Sequence, residues 1–127
     1  METSDLTARQ IYQQIKDNPS RARFGFGKRA ILVNIDLQKA YTRTDLFKTA
    51  YETDPDQLSY VNQLAGAFRA LDWPVVWTHV AFMDSGEDCG VWGTRTDTPD
   101  SLQNIKFGST RAEFDDRLDI DERRDVI

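Results

Sequence analysis

The chain has 127 residues, enough for one compact domain or part of one. Apolar residues make up 39% and charged residues 29%, the balance of a globular protein with an ordinary surface. A net charge of -5 disfavours nonspecific binding to nucleic acid or to an anionic membrane, and no apolar run approaches the ~20 residues of a membrane span.

The N-terminus lacks the basic start and apolar core of a secretory signal. Leu6, Ile11 and Ile15 recur at helical spacing and predict a short exposed helix within Ser4 to Asp17. Asn18-Pro19 marks a turn, after which Phe24 and Phe26 alternate with Gly25 and Gly27. This stretch reads as an arm that lays aromatics on a neighbouring surface. It is not a phosphate loop, because the GxxxxGK pattern is absent and a strand follows, not a helix.

Ala30 to Ile35 is a near-continuous apolar run of strand length, as expected for a parallel strand covered on both faces. Residues 37–53 form a polar connection. Asp54 and Pro55 then read as cap and first residue of a helix, with Leu58, Val61, Leu64, Ala65, Phe68 and Leu71 on one stripe. Pro74 closes that helix, and "VVWTHVAF" reads as a second buried strand. Strand, helix, strand makes a βαβ unit with parallel pairing. Residues 83–108 form a long polar loop, and "STRAEFDDRLDIDERRDVI" predicts a short helix with Phe114 and Leu118 inward. The alternating charges of this segment read as a solvated face. Asp125 to Ile127 reads as a third strand beginning. The pattern is that of an α/β protein: a helix and arm over residues 1–23, then the N-terminal portion of a doubly wound parallel-sheet domain over residues 24–127. The remainder of that domain is expected on another segment or chain.

Ligands of open parallel α/β sheets bind beyond the carboxyl ends of the strands. Asp36 ends the first strand, and Tyr41 and the long loop are expected near it. The plain alternative is that Asp36 only caps loop amides.

"AILVNIDLQKAYT" resembles the first-strand signature of the isochorismatase-like cysteine hydrolases, an apolar strand ending in Asp, one apolar residue, then Gln. "FGFGKR" is similar to the lead-in of the N-carbamoylsarcosine amidase branch, which includes maleamate amidases. "PVVWTHVAF" resembles the second strand of that family, "GVWG" its pocket loop and "RRDVI" the approach to its third strand. The resemblance implies a three-layer, Rossmann-like hydrolase that cleaves a small amide or ureido compound with Cys, Lys and Asp. Asp36 then matches the acid–base carboxylate. Tyr41, Gln38 and Trp92 are the expected substrate neighbours, with Gln38 also orienting backbone beside Asp36. The mechanism uses no metal and no organic cofactor.

In that family the lysine and cysteine follow later in the chain than Ile127. Cys89 lies in the long loop beside Glu87 and Asp88, a setting that disfavours a thiolate, and Lys106 is too early for the catalytic lysine. A companion polypeptide carrying both is therefore expected, within a homo- or hetero-oligomer. The lone cysteine permits no internal disulfide, and a cytoplasmic location is the simplest expectation. His79, the single histidine, is a poor metal site on its own, and Arg95 reads as a surface residue. Two rivals remain. A haloacid-dehalogenase-type phosphatase wants a second acid two residues after the first, where this chain has Gln38. A noncatalytic α/β binding or scaffold module would bind its partner through the aromatic arm around Phe24 and Phe26 and not through Asp36.

Overall fold

A computed structural model of the chain describes residues 5–18, 27–94 and 101–127. The aromatic arm with Phe24 and Phe26, and Arg95 in the long loop, lie outside the described residues. The elements run α1 (Ala8–Asp17), β1 (Leu32–Ile35), α2 (Lys39–Thr42), α3 (Gln57–Ala70) and β2 (Val75–Thr78), followed by short 3-10 turns at Gly90–Thr94 and Leu102–Asn104. No helix among the described residues is long and apolar enough to cross a membrane.

The protein is mixed α/β, with β1 and β2 paired in parallel. Leu32 lies beside Val75 and Asn34 beside Trp77, so these four side chains share one face of the pair. Val61, Ala65 and Phe68 of α3 cover that face together with Phe114, Leu118 and Ile120. Val75 and Trp77 are fully buried there. On the opposite face, Val33 and Ile35 keep 49% and 66% of their surface exposed. The expectation of a strand covered on both faces therefore holds for one face only. Val126 adds a parallel bridge to Val76 on the far side of β2, its N–H donating to Val75 O at 2.9 Å and its carbonyl accepting from Trp77 N at 2.8 Å.

Helix α1 begins with a reciprocal capping box between Thr7 and Gln10, and none of its residues is buried. Helix α3 starts two residues later than Asp54-Pro55 predicts. The Asp54 carboxylate accepts from Asp56 N at 2.9 Å, so it closes a turn before the helix instead of capping the helix itself. Leu64 and Leu71, expected on the apolar stripe, are half or more exposed. At ~100° per residue they stand well round the helix from the line through Leu58, Val61, Ala65 and Phe68 that meets the sheet. The helix ends in a Schellman arrangement: Trp73 N donates to Phe68 O at 2.9 Å and Asp72 N to Arg69 O at 3.1 Å. Asp72 takes the left-handed conformation this end requires, and Trp73 packs edge-on against Phe68.

The helix predicted around Phe114 and Leu118 does not form. Asp115 Oδ1 accepts from Arg117 N at 2.9 Å and Asp121 Oδ1 from Arg123 N at 3.1 Å, and such local side-chain bonds draw backbone donors away from a helix. The segment runs instead as turns, while Phe114 and Leu118 still point into the core. Nor is it simply a solvated face. The Asp125 side chain is buried, with its carboxylate bound by Arg69 of α3, by Trp77 Nε1 of β2 at 2.8 Å and by Asp121 N at 3.1 Å. The Arg69 hydrogen bond outweighs the cost of burial and holds the Asp125 carboxyl down at about 2.

This carboxyl is more acidic folded than unfolded, so its stabilisation is complete above about pH 4 and is lost as the pH falls toward 2. Denaturant midpoints measured between pH 7 and 2 should drop over that window. Asp125→Asn should cost roughly 3 kcal/mol at pH 7, because it removes the buried half of the Arg69 pair and leaves only the exposed Asp119 carboxylate beside that charge, and should flatten the acid limb. An unchanged acid limb in the variant would remove Asp125 from this role.

Candidate functional site at the strand ends

Asp36 follows the last residue of β1 and has φ 57°, the left-handed region that bulky residues avoid and that Asn and Asp tolerate best after glycine. Its N–H donates to Thr78 O at 2.9 Å, which ties it to the end of β2. The half-buried carboxylate has no hydrogen-bond or ion-pair partner among the described residues. The side chain thus caps no loop amide there, unlike Asp54, Asp115 and Asp121. It borders a cavity of about 390 Å³, within the size range of small-molecule sites.

Tyr41, on α2, lines the same cavity. Burial, and then the charge of Asp36, push its phenol above the ordinary tyrosine value, so it remains a protonated hydroxyl through the neutral range. The structure therefore brings Asp36 and Tyr41 together. Among the other wall residues are Tyr51, Glu52, Asp54 and Arg117, none of which was expected at the site from the sequence. Arg117 is held in a fork against buried Asp115, with Nε at 2.9 Å from Oδ1 and Nη2 at 2.7 Å from Oδ2. Thr42 Oγ1 donates to Asp115 Oδ2 at 2.6 Å. Burial alone would raise the Asp115 carboxyl, but the bonds from Arg117 and Thr42 more than offset this and hold it well below the usual carboxylate range.

Gln38 and Trp92 do not join this wall. Gln38 is fully buried and its amide is engaged by backbone: Nε2 donates to Val80 O at 2.9 Å and Arg111 O at 3.1 Å, and Oε1 accepts from Val80 N at 2.8 Å. The amide is spent on holding the strand-end backbone. Trp92 sits in the 3-10 turn of the long loop, 40% exposed, and is not part of the cavity wall. Cys89 is buried and also lies off the cavity. His79 stacks on Phe114 with ring centroids 5.1 Å apart. Lys39, three residues after Asp36, is turned to Asp116 and Glu113 at 2.8 and 2.7 Å, and hydrogen bonds to Asp116 and then Glu113 raise its pKa. Lys106 Nζ donates to Met83 O at 2.9 Å. Among the described residues no three His, Cys, Asp or Glu side chains are grouped to hold a metal ion.

Gln38→Glu should unfold the strand-end region. The new carboxylate would face the Val80 and Arg111 carbonyls with no proton to give them, at a cost of roughly 3 kcal/mol or more at neutral pH. Thermal unfolding and amide exchange at Asp36 and Val80 read this directly. A variant as stable as the parent would show that the amide does not hold the loop.

No protein-family model matches this chain, and no curated protein matches it. The functional reading rests on the strand-end cavity itself.

Proposed function

We propose that this chain supplies the acid–base carboxylate of a cysteine hydrolase acting on a small linear amide or ureido substrate. Its domain is the N-terminal part of a three-layer, doubly wound hydrolase that works in the cytoplasm within an oligomer. A companion polypeptide segment supplies the nucleophilic cysteine and the lysine. The observation that carries this reading is Asp36: a strained residue at the carboxyl end of a parallel strand, its carboxylate unpartnered among the described residues and on a cavity of ligand size. The sequence resemblance points to the same residue.

The chemistry then follows from proton affinity. Asp36 takes the proton from the companion's thiol, and the thiolate attacks the carbonyl carbon. As the tetrahedral intermediate collapses, the C–N bond breaks and the protonated Asp36 returns the proton to the leaving nitrogen. Water, deprotonated by the same carboxylate, hydrolyses the thioester and regenerates both groups. Tyr41 remains protonated and offers a hydroxyl donor at the cavity wall. Cys89, buried away from the cavity, takes no part.

A noncatalytic scaffold reading draws on a different observation, the exposed apolar side chains of Ile31, Val33 and Ile35. It makes no use of the Asp36 carboxylate.

Asp36→Asn separates the two. Asn tolerates the left-handed conformation as well as Asp does, so the fold should persist with little change in melting temperature. In the complete assembly, turnover of N-carbamoyl and primary-amide substrates should fall by roughly 10²–10⁴-fold. Retained turnover in a folded Asp36→Asn protein would reject the proposal, and loss of turnover in Cys89→Ala would reassign the nucleophile to this chain.

A further inference from the structure

The cavity wall holds two phenols, and the fold treats them differently. Tyr51 is 72% exposed. Tyr41 is half-buried and packs against Ala40, Ile105 and Ala112. Its backbone is held on both sides: its N–H donates to Gln38 O at 2.9 Å, and its carbonyl accepts from Tyr51 N at 3.3 Å. Tyr41 is thus anchored to the residue whose amide clamps the strand ends. Burial first, and the charge of Asp36 second, keep its phenol protonated through the neutral range. A fixed hydroxyl donor therefore stands on the same wall as the Asp36 carboxylate and within its electrostatic range. With Asp36 committed to the protons of the reacting amide, this donor is left to meet the rest of the substrate.

We infer that Tyr41 is a specificity-determining residue whose hydroxyl donates a hydrogen bond to a second oxygen of the substrate, beyond the amide that is cut. A small substrate that fills the cavity displaces water from this hydroxyl. An acceptor on the substrate replaces the lost bond, whereas an alkyl group of the same size leaves the O–H unpaired. The packed ring and held backbone order the donor before the substrate arrives, so little freedom is lost on binding. The inference rests on the hydrolase reading for the group that reacts, and on the setting of Tyr41 for the acceptor.

Two neutral primary amides of equal length isolate that acceptor: 3-methoxypropanamide and pentanamide, which differ by one oxygen in place of one methylene. Tyr41→Phe keeps the ring and removes the donor. In the complete assembly it should lower the ratio of kcat/KM for the ether amide over the alkyl amide by roughly five- to tenfold. The loss should fall on KM for the ether amide, and the pH profile should keep its shape, because Asp36 carries the proton. A ratio that Tyr41→Phe leaves unchanged would overturn the inference, as would a loss equal for both amides. Titration of the same amides into this chain and its Tyr41→Phe variant, followed by the amide shifts of Asp36 and Thr42, keeps the inference distinct from the hydrolase reading. Tighter binding of the ether amide that Tyr41→Phe abolishes, with no turnover by the complete assembly, upholds the role of Tyr41 and rejects the hydrolase. Turnover with a ratio indifferent to Tyr41→Phe does the reverse. Absence of both binding and turnover rejects both.

Discussion

One buried side-chain amide holds the strand ends together. Gln38 meets the backbone of Val80, 42 residues later, and of Arg111, 73 residues later, and it serves one as donor and acceptor at once. Around it the segment from Leu37 to Ala40 exchanges backbone bonds with Arg111, Glu113 and Asp115. Three stretches of chain with no local reason to meet are joined at this point. The arrangement needs an amide, because a carboxylate lacks the donors and an alkyl group lacks both. It also fixes the two residues before it. A left-handed non-glycine residue persists only where its surroundings over-determine it. Asp36 is pinned on one side by Thr78 through its own N–H, and on the other by the Gln38 clamp.

The carboxylates of this chain fall into two kinds. Asp115 and Asp125 are buried, each saturated by an arginine fork and further donors, and each is made more acidic by those bonds. They join elements: Asp125 ties α3 and β2 to the turns at 121–125, and Asp115 ties α2 to Arg117. Such pairs hold geometry and are chemically inert, since their protons and lone pairs are committed. Asp36 is of the other kind, half-buried and unpartnered among the described residues.

The parts legible in the sequence were those with short-range causes. The apolar run of β1, the stripe of α3 and the run of β2 each declare their element through period and flanking residues. Asp36 was visible because a carboxylate at the end of such a run breaks the pattern. The misread parts depend on partners far away in the chain. Nothing local distinguishes Asp115 and Asp125, whose side chains are buried, from Asp116 and Asp119, which are exposed. The difference lies in Arg69, Trp77 and Thr42, on elements more than 40 residues away. Gln38 was expected beside the Asp36 backbone, but the carbonyls it faces, of Val80 and Arg111, lie 42 and 73 residues away and nothing local names them. Arg117 and Glu52 reach the cavity wall from segments with no regular period, so no pattern announces them. The clearest local warning was in "DDRLDIDERRD", where closely spaced Asp residues favour turns over a helix.

The identity of residue 36 carries a further implication. At φ 57° glycine would be the least costly choice, and the fold elsewhere uses it so, at Gly86, Gly90 and Gly108. Asp72 shares the conformation, but at a helix end, where one left-handed residue completes the Schellman bonds. Asp36 has no such duty: its side chain bonds to nothing among the described residues, and its neighbours are held by Thr78 and Gln38 through other atoms. On stability alone, a non-glycine residue at this point costs backbone strain, and the Asp36 side chain makes no hydrogen bond or ion pair among the described residues that offsets it. The strained position and the cavity beside it are the two observations from which the acid–base proposal for Asp36 starts.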